Sequence, residues 1–476
     1  MRKITTLTLT FILVCISTIS VSASVFTDNR LYKNVSKYAY STNYTEYYNQ
    51  ITRYDFGDTF FYFNKINANE NEQEVEGDFI NVDFFVKGNN IAVSYVDNSE
   101  DISVIKTTTD YSNLPLKTIF LETEMERFAF SVPTVYNVDR VLDTITTVDS
   151  YENPVTISQV EGGFNVNYKI PKDTDVYTEI FYFQSNQRLI DFTTVDNDLV
   201  IRNELSGRFR LLNDGFYQET PNSYYPSSPF TYYQNCANYV GHNYLKYSDE
   251  NNVIVPFFSY LAYVSTDVTN SNQNDLGYFE TSPTSIWLET DFNIGPGFYD
   301  TRFNADNSEL NMMLYEMFNA QKFLDVAIRH GDFYVDYADH KSYKTENGIL
   351  VQDYYNENGG DDTHVSLNHQ LASMNMLLKL YEKTNKVEYY DTAMLMLRGI
   401  EDTEQQWIKD DGNLEYALMY TGTYNIMQDY PYLTYNDLYE SKDRLAKLGI
   451  SSRTIEVLMG TKLDYMVRNN IVGYRI

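Results

Sequence analysis

The apolar positions of this chain follow two regimes, with a change near residue 211. From Val25 to about Leu211 they alternate with polar ones. Ile80, Val82, Phe84 and Val86 form one alternation, Gly88-Asn89-Asn90 supplies a turn, and Ile91, Val93 and Tyr95 form the next. A period of two marks strands with one buried face, so the pair reads as a hairpin. Glu161-Gly162-Gly163 precedes a second run, Phe164, Val166, Tyr168 and Ile170, which Pro171 ends because proline has no N–H for the ladder. A third hairpin is predicted from Ile180 to Phe183, across Ser185-Asn186-Gln187, to Leu189, Ile190 and Phe192. Residues 24–211 are therefore expected to form an antiparallel β domain, with sandwich and barrel both open.

Residues 212–230 collect Asp214, Gly215, Pro221, Asn222, Ser223, Pro226, Ser227, Ser228 and Pro229, turn-forming chemistry that predicts a linker. Over 231–476 the period becomes helical. Asn307-Ser308 is a candidate cap for a helix with the inward stripe Leu310, Met313, Leu314, Met317 and Phe318. Phe323, Leu324, Ala327 and Ile328 follow, then Leu371, Met374, Leu377, Leu378 and Tyr381. Ser451-Ser452 opens a last stripe along Ile455, Leu458, Met459, Leu463 and Met466.

An internal echo organises this second half. Phe323-Leu324-Asp325-Val326-Ala327 resembles Tyr389-Tyr390-Asp391-Thr392-Ala393, with Asp325 and Asp391 at equivalent places. Downstream of each, a polar turn (Glu346-Asn347-Gly348, then Asp410-Asp411-Gly412) leads into a short strand ending in tyrosine, at Tyr355 and Tyr416. Two near-equal offsets predict a repeating unit of helix, helix and short hairpin. One helical hairpin cannot bury its apolar face, so such units close into an α/α toroid or pack as a partial barrel. The fold class expected is an N-terminal antiparallel β domain followed by an α-helical domain of repeated hairpins.

The first residues change the picture of where the chain acts. Arg2 and Lys3 precede an apolar run, and Val21-Ser22-Ala23 is a small-residue cleavage pattern, so residues 1–23 read as a signal peptide cut before Ser24. The run is too diluted by threonine and serine for a membrane span, and Val14 disfavours lipidation at Cys15. A secreted, extracellular location follows, with no integral membrane span. Cys236 is then the one cysteine of the mature chain, so no disulfide closes within it. The formal charge is -30, and loss of Arg2 and Lys3 makes it more negative. Such a field repels nucleic acid and disfavours polyanions without a local basic pocket.

The segment from Leu367-Asn368 to Leu380-Tyr381-Glu382, with Gly399-Ile400-Glu401, Asp411-Gly412 and Leu414-Glu415-Tyr416, resembles the C-terminal helical region of the D-glucuronyl C5-epimerases. So does Asp429-Tyr430-Pro431-Tyr432-Leu433-Thr434-Tyr435-Asn436-Asp437-Leu438. The resemblance spans roughly residues 295 to 450. Pro431 and Thr434 stand where that family carries histidines, and Met419 and Tyr420 where it carries an arginine and a histidine. The resemblance implies epimerisation of a uronate in a polysaccharide, by removal of the proton at carbon 5 and its return from the opposite face. That chemistry needs two acid–base groups and donors for the growing negative charge.

By the resemblance, Tyr416 and Tyr430 are the catalytic tyrosines, with Tyr355 and Asp353 at a third position. A tyrosine serves as base if a neighbouring positive charge or donor lowers its pKa from ~10. Arg302, in Gly297-Phe298-Tyr299-Asp300-Thr301-Arg302, is the candidate for gripping a carboxylate bidentately, and Asn368 and Asn436 complete the substrate-binding set. Each tyrosine is one of 45, and so competes with a plain packing role. Asp361-Asp362-Thr363-His364 with His369 matches no strong ligand spacing, and no metal or cofactor is expected. Trp287 and Trp407 have rings able to stack on sugars, and the core reading is preferred for both. The expected partner is a polysaccharide or glycan; oligomeric state is not set by the sequence. Two alternatives stand beside the epimerase: a polysaccharide lyase, and a non-catalytic glycan-binding or cell-surface protein on the same fold.

Overall fold

The computed structural model describes residues 35–44, 46–69, 79–98, 103–112, 114–148, 155–204, 207–423 and 428–475. The expected signal at 1–23, with Cys15, lies outside them. Thirteen strands make one antiparallel sheet around Tyr177–Ser185. This strand pairs with Thr59–Ala68 on one side, and with Arg127–Phe130 and Thr134–Asp139 on the other. Its alternation serves two cores. Ile180 and Tyr182 face one, and Phe181 and Phe183 face the other, so the strand is buried on both sides.

Against the first face stacks a three-stranded sheet, Thr156–Val160, Gly163–Pro171 and Phe79–Lys87. Ile80, Val82, Val86, Val166 and Tyr168 from it meet Val93, Leu121, Phe128 and Phe130 from the large sheet, which makes a sandwich at this end. The hairpin expected across Gly88-Asn89-Asn90 is therefore corrected. Both strands form, but Phe79–Lys87 pairs with Gly163–Pro171, and Ile91–Asp97 pairs with Val104–Thr108 and Ile119–Thr123. Gly88 sits at φ 138° against Thr123, where a Cβ would lie 2.6 Å from the Thr123 Cβ. This turn carries the chain between layers, and the two apolar faces meet across the sandwich. The second hairpin, Thr156–Val160 with Gly163–Pro171, is as expected.

The third hairpin fails for a different reason. Its first strand forms, but residues 186–192 leave the sheet, and Leu189 accepts a hydrogen bond from Phe257 N at 2.9 Å. Apolar side chains here face a helix instead of a ladder partner. Residues 212–230, expected as linker, include Gly215–Glu219, which pairs with Phe209–Leu212 and with Thr231–Gln234.

Eight helices then pair as four antiparallel hairpins: α1 (Tyr239–Glu250) with α2 (Pro256–Asn270), α3 (Thr301–Phe318) with α4 (Gln321–His340), α5 (Leu367–Thr384) with α6 (Val387–Asp402), and α7 (Leu433–Lys447) with α8 (Arg453–Arg468). The first helices of successive hairpins, α1, α3, α5 and α7, each pack against the next. Asp325 and Asp391 each occupy the fifth position of their helix. The predicted cap at Asn307-Ser308 is corrected: α3 starts at Thr301, capped by Asp300, and Asn307 and Ser308 are buried in its interior. Ser452 caps α8 by accepting from Ile455 N, as its sequence suggests. No helix of the described residues is long and apolar enough to cross a membrane.

The second face of the large sheet packs on α2. Tyr54, Phe56, Phe61, Phe181 and Phe183 meet Phe257, Tyr260, Leu261, Tyr263 and Val264, and the core runs on to Leu310, Phe318 and Phe323. One buried carboxylate ties the layers. Asp267 on α2 accepts from Lys37 Nζ at 2.9 Å, Tyr54 Oη at 2.7 Å and Lys322 Nζ at 2.7 Å. Burial pushes its pKa up, but the two ammonium groups outweigh that and hold it well below the usual carboxylate range. A depressed pKa stabilises the fold above the unfolded value of ~3.9, and that contribution is lost as pH falls below it. Asp267→Asn is expected to cost about 1–3 kcal/mol at pH 7 and to remove part of the acid sensitivity. Unfolding midpoints of both proteins from pH 3 to 7 check this, and parallel curves would refute it.

Candidate functional site

The site grows from the start of α3. Strand Phe298–Asp300 pairs with Tyr354–Tyr355, in the register Tyr299↔Tyr355 and Asp300↔Tyr354. Partners directly opposite share a face, so Asp300 and Tyr354 point one way and Tyr299 and Tyr355 the other. Asp300 caps α3: Arg302 N and Phe303 N donate to its Oδ1 at 2.8 and 3.0 Å. Its carboxyl is buried, and burial together with nearby Asp353 pushes its pKa up to about 7, against the pull of the two amides.

Tyrosines surround it. Tyr416 and Tyr430 have ring centres 6.0 Å apart, edge to face. The charge of Asp300 bears on both, and also on Tyr224, Tyr233, Tyr239 and Tyr354. Tyr416 is buried and Tyr430 is 46% exposed, so the cluster opens to water at Tyr430. Behind it stands Asp353, fully buried. Ser366 N donates to its carboxylate at 2.9 and 3.1 Å, Ser366 Oγ donates as well, and Ser366 also reaches the Tyr416 hydroxyl. His369 Nδ1 bonds the Thr301 hydroxyl at 2.8 Å, and burial lowers its pKa to about 4, so the ring is neutral. His364 Nε2 lies 3.2 Å from Asp353 Oδ2 without forming a hydrogen bond, and neither ring nitrogen of this buried residue has a hydrogen-bond partner. Trp287, Phe292, Tyr354, Tyr416 and Tyr420 rings surround it.

The structure brings together Tyr416, Tyr430 and Asp353 from the expected set. Tyr355 is not with them: it faces Tyr337 and Lys341, at 5.8 Å to each. The adjacent Tyr354 takes that place, a one-residue difference that strand alternation turns into opposite faces. Arg302 is in reach but engaged. Its Nη1 and Nη2 donate to Asp437 at 2.6 and 3.3 Å, its Nε to Asp306 at 3.0 Å, and Nη1 also to Asn368 O at 3.2 Å. The guanidinium expected to grip a substrate carboxylate thus grips two carboxylates of its own chain. Asn436 Oδ1 accepts from Arg475 N at 2.9 Å, and Asn368 is buried with its Oδ1 unpartnered.

Burial raises the pKa of both Tyr416 and Tyr430, and nearby carboxylates raise them further, against the opposing pull of Ser366 on Tyr416 and of Arg302 on Tyr430, so both hydroxyls hold their protons. Two buried carboxyls of the site are pushed up toward neutral, Asp300 to about 7 and Asp437 to about 6; Asp300 lies within the run quoted for Arg302 but carried no signal of its own beyond a cap-like position.

One more group sets the geometry. Lys462 Nζ, fully buried on α8, donates to Asn413 Oδ1 at 2.8 Å, to Tyr430 O at 2.9 Å and to the Asp429 carboxylate. One ammonium therefore fastens both segments that carry Tyr416 and Tyr430. Trp407 is core, its Nε1 donating to Thr403 Oγ1 at 2.9 Å, whereas Trp287 meets the Tyr354 ring edge to face beside the site. Among the described residues no group of three histidine, cysteine or acidic side chains is placed to hold a metal ion.

No protein-family model matches the chain, and no curated protein does. Solved structures similar to it include D-mannose isomerase, at 15% identity over 49% of this chain and 59% of that one, with a TM-score of 0.36. Cellobiose 2-epimerase from Bacillus thermoamylovorans B4167 is similar at 11% identity over 58% of this chain and 70% of that one, TM-score 0.40. A family 76 glycoside hydrolase from a bovine Bacteroides thetaiotaomicron strain is similar at 11% identity over 86% of each chain, TM-score 0.32. The three are named as a sugar isomerase, a sugar epimerase and a glycoside hydrolase.

Proposed function

We propose that this chain is an exported carbohydrate-active enzyme that moves a proton at a sugar carbon, in the manner of an epimerase or isomerase. The observation that carries the reading is a buried carboxyl, Asp300, pushed up to about 7 within electrostatic reach of Tyr416 and Tyr430, whose rings meet edge to face. A group titrating near working pH is the most effective acid–base catalyst. In the proposed step Asp300 takes the proton from a carbon next to a carbonyl or carboxyl group, and the electron pair moves onto that group's oxygen. The Tyr416 and Tyr430 hydroxyls donate to this oxygen as its charge grows. Water on the open side at Tyr430 returns a proton to the other face of that carbon as the electron pair moves back from the oxygen, which completes an inversion.

The narrower form, epimerisation of a uronate at carbon 5, requires Arg302 to release Asp306 or Asp437. The occupied guanidinium favours a second reading, a glycan-binding protein on an α/α toroid without that chemistry. The succession of helical hairpins supports the toroid, and the sequence alone supports export.

Incubation with a panel of uronate and neutral glycans in deuterated water separates the readings. Deuterium at a ring carbon is expected, and Tyr416→Phe and Tyr430→Phe should each slow its uptake by ~100-fold or more while unfolding as the parent does. An unsaturated product absorbing in the ultraviolet would indicate a lyase. Binding with neither deuterium uptake nor cleavage would replace the enzyme by the binding protein.

A further inference from the structure

Ile119–Thr123, Arg127–Phe130 and residues 188–193 enclose a cavity of about 180 Å³ in the β region. None of the residues around Asp300 lines it. At ~30 Å³ per water molecule the space equals roughly six waters. That is room for one small ring, below the ~300–1,000 Å³ of drug-sized sites.

The floor is apolar. Phe120, Leu189 and Ile190 are buried, and Phe192 stands edge-on to Phe120 with 5.1 Å between ring centres; the Phe128 side chain points the other way, into the sandwich core. These are the side chains of 189–192 that left the expected third hairpin. The mouth is polar. Arg188 donates to Glu122 at 3.1 and 3.3 Å and to Asp191 at 3.3 Å, and the Ser94 and Thr107 hydroxyls share a bond of 2.8 Å. Arg127 Nη1 donates to Asn186 O at 3.1 Å, but its Nε is buried with no partner.

This lining excludes most ligand classes. Two arginines offset Glu122 and Asp191, and Arg188 is already committed to both carboxylates, so a dianion finds no free guanidinium pair. A cation meets two arginines. A lipid chain would take water from the exposed end of the Arg127 guanidinium and from the Ser94 and Thr107 hydroxyls, at a cost in free energy. An uncharged ring with one apolar face and several hydroxyls fits this lining: its C–H face lies on Phe120, Leu189, Ile190 and Phe192, and its oxygens meet the exposed Nη end of Arg127 and the Ser94 and Thr107 hydroxyls. On a molecule of charge -30, such a ligand also has no field to overcome.

We propose that this cavity binds a neutral sugar unit of a glycan, as a site separate from the one around Asp300. The inference does not depend on that site's chemistry. Affinity electrophoresis of the full chain through gels containing a neutral glucan, mannan or xylan, or a polyuronate, tests it. Retardation by at least one neutral polymer is expected. It should weaken about tenfold in both Arg127→Met and Phe192→Ala, and persist in Tyr430→Phe. Both substituted side chains are only half-buried, and a melting curve for each variant checks that it folds. Retardation untouched by both cavity variants, lost in Tyr430→Phe, confined to the polyuronate, or absent from every gel would overturn the proposal.

Discussion

Lys462→Met is expected to destabilise the fold by about 3–5 kcal/mol, because it removes one half of a buried ion pair and leaves the other charged. Asp429 would keep only Thr434 Oγ1, at 2.6 Å, as a side-chain donor, and Asn413 Oδ1 and Tyr430 O would lose theirs. The pKa of Asp429 is already raised by burial, with Lys462 pulling it down. Without the lysine it should take up a proton on folding, so the loss should shrink as pH falls. Urea unfolding at pH 5 and pH 8 measures both effects. A double variant, Lys462→Met with Asp429→Leu, should recover part of the stability, since an apolar pair leaves no stranded charge. Amide hydrogen exchange should accelerate first around Asn413 and Tyr430. A loss below about 1 kcal/mol would show that water already reaches the pair.

The second large effect separates activity from stability at one residue. On any glycan that shows exchange, Asp300→Asn should slow it by ~100- to 10,000-fold, since an amide cannot carry the proton. Asparagine still accepts from Arg302 N and Phe303 N, so the helix cap survives. The sign of the stability change follows from linkage. Asp300 titrates near 7 when folded, against ~3.9 unfolded, so between those values the folded chain holds a proton that the unfolded chain has released. That contribution is complete below ~4 and lost as pH rises through 7. Above pH 7 the variant should therefore be the more stable, by about 2–4 kcal/mol. Melting temperatures of the two proteins that coincide from pH 5 to pH 8 would refute the perturbed carboxyl, whatever the glycan assays show.

Local pattern carried much of the architecture. Strand and helix periods placed Gly163–Pro171, α5 and α8, and the echo of Asp325 and Asp391 exposed the hairpin repeat, because each signal arises within a few turns of chain. Partner choice between strands was not legible. Phe79–Lys87 and Ile91–Asp97 look like a hairpin from their own residues, and only packing across the sandwich decides that they part. The site shows the same limit. Tyr416 and Tyr430 could be matched through short motifs, whereas Asp300 matters through burial near Asp353, 53 positions away, and Lys462 through contacts made from another hairpin. Neither has a signature in its neighbours, and choosing Tyr355 over Tyr354 needed a strand register that sequence does not print.

The aromatic core between the large sheet and α2 bears on how this chain can be taken apart. Phe257, Phe258, Tyr260, Leu261 and Tyr263 are covered in part by Tyr54, Phe56, Phe61 and Phe183 from the strands. Cutting near residue 235 would give a helical fragment with this row uncovered and a strand fragment whose matching face is equally bare. Neither piece is a transferable cassette, however clean the change of pattern looks in sequence. Fusions, truncations and swaps meant to isolate the helices would need to rebuild that face with polar residues first, or carry the sheet with them.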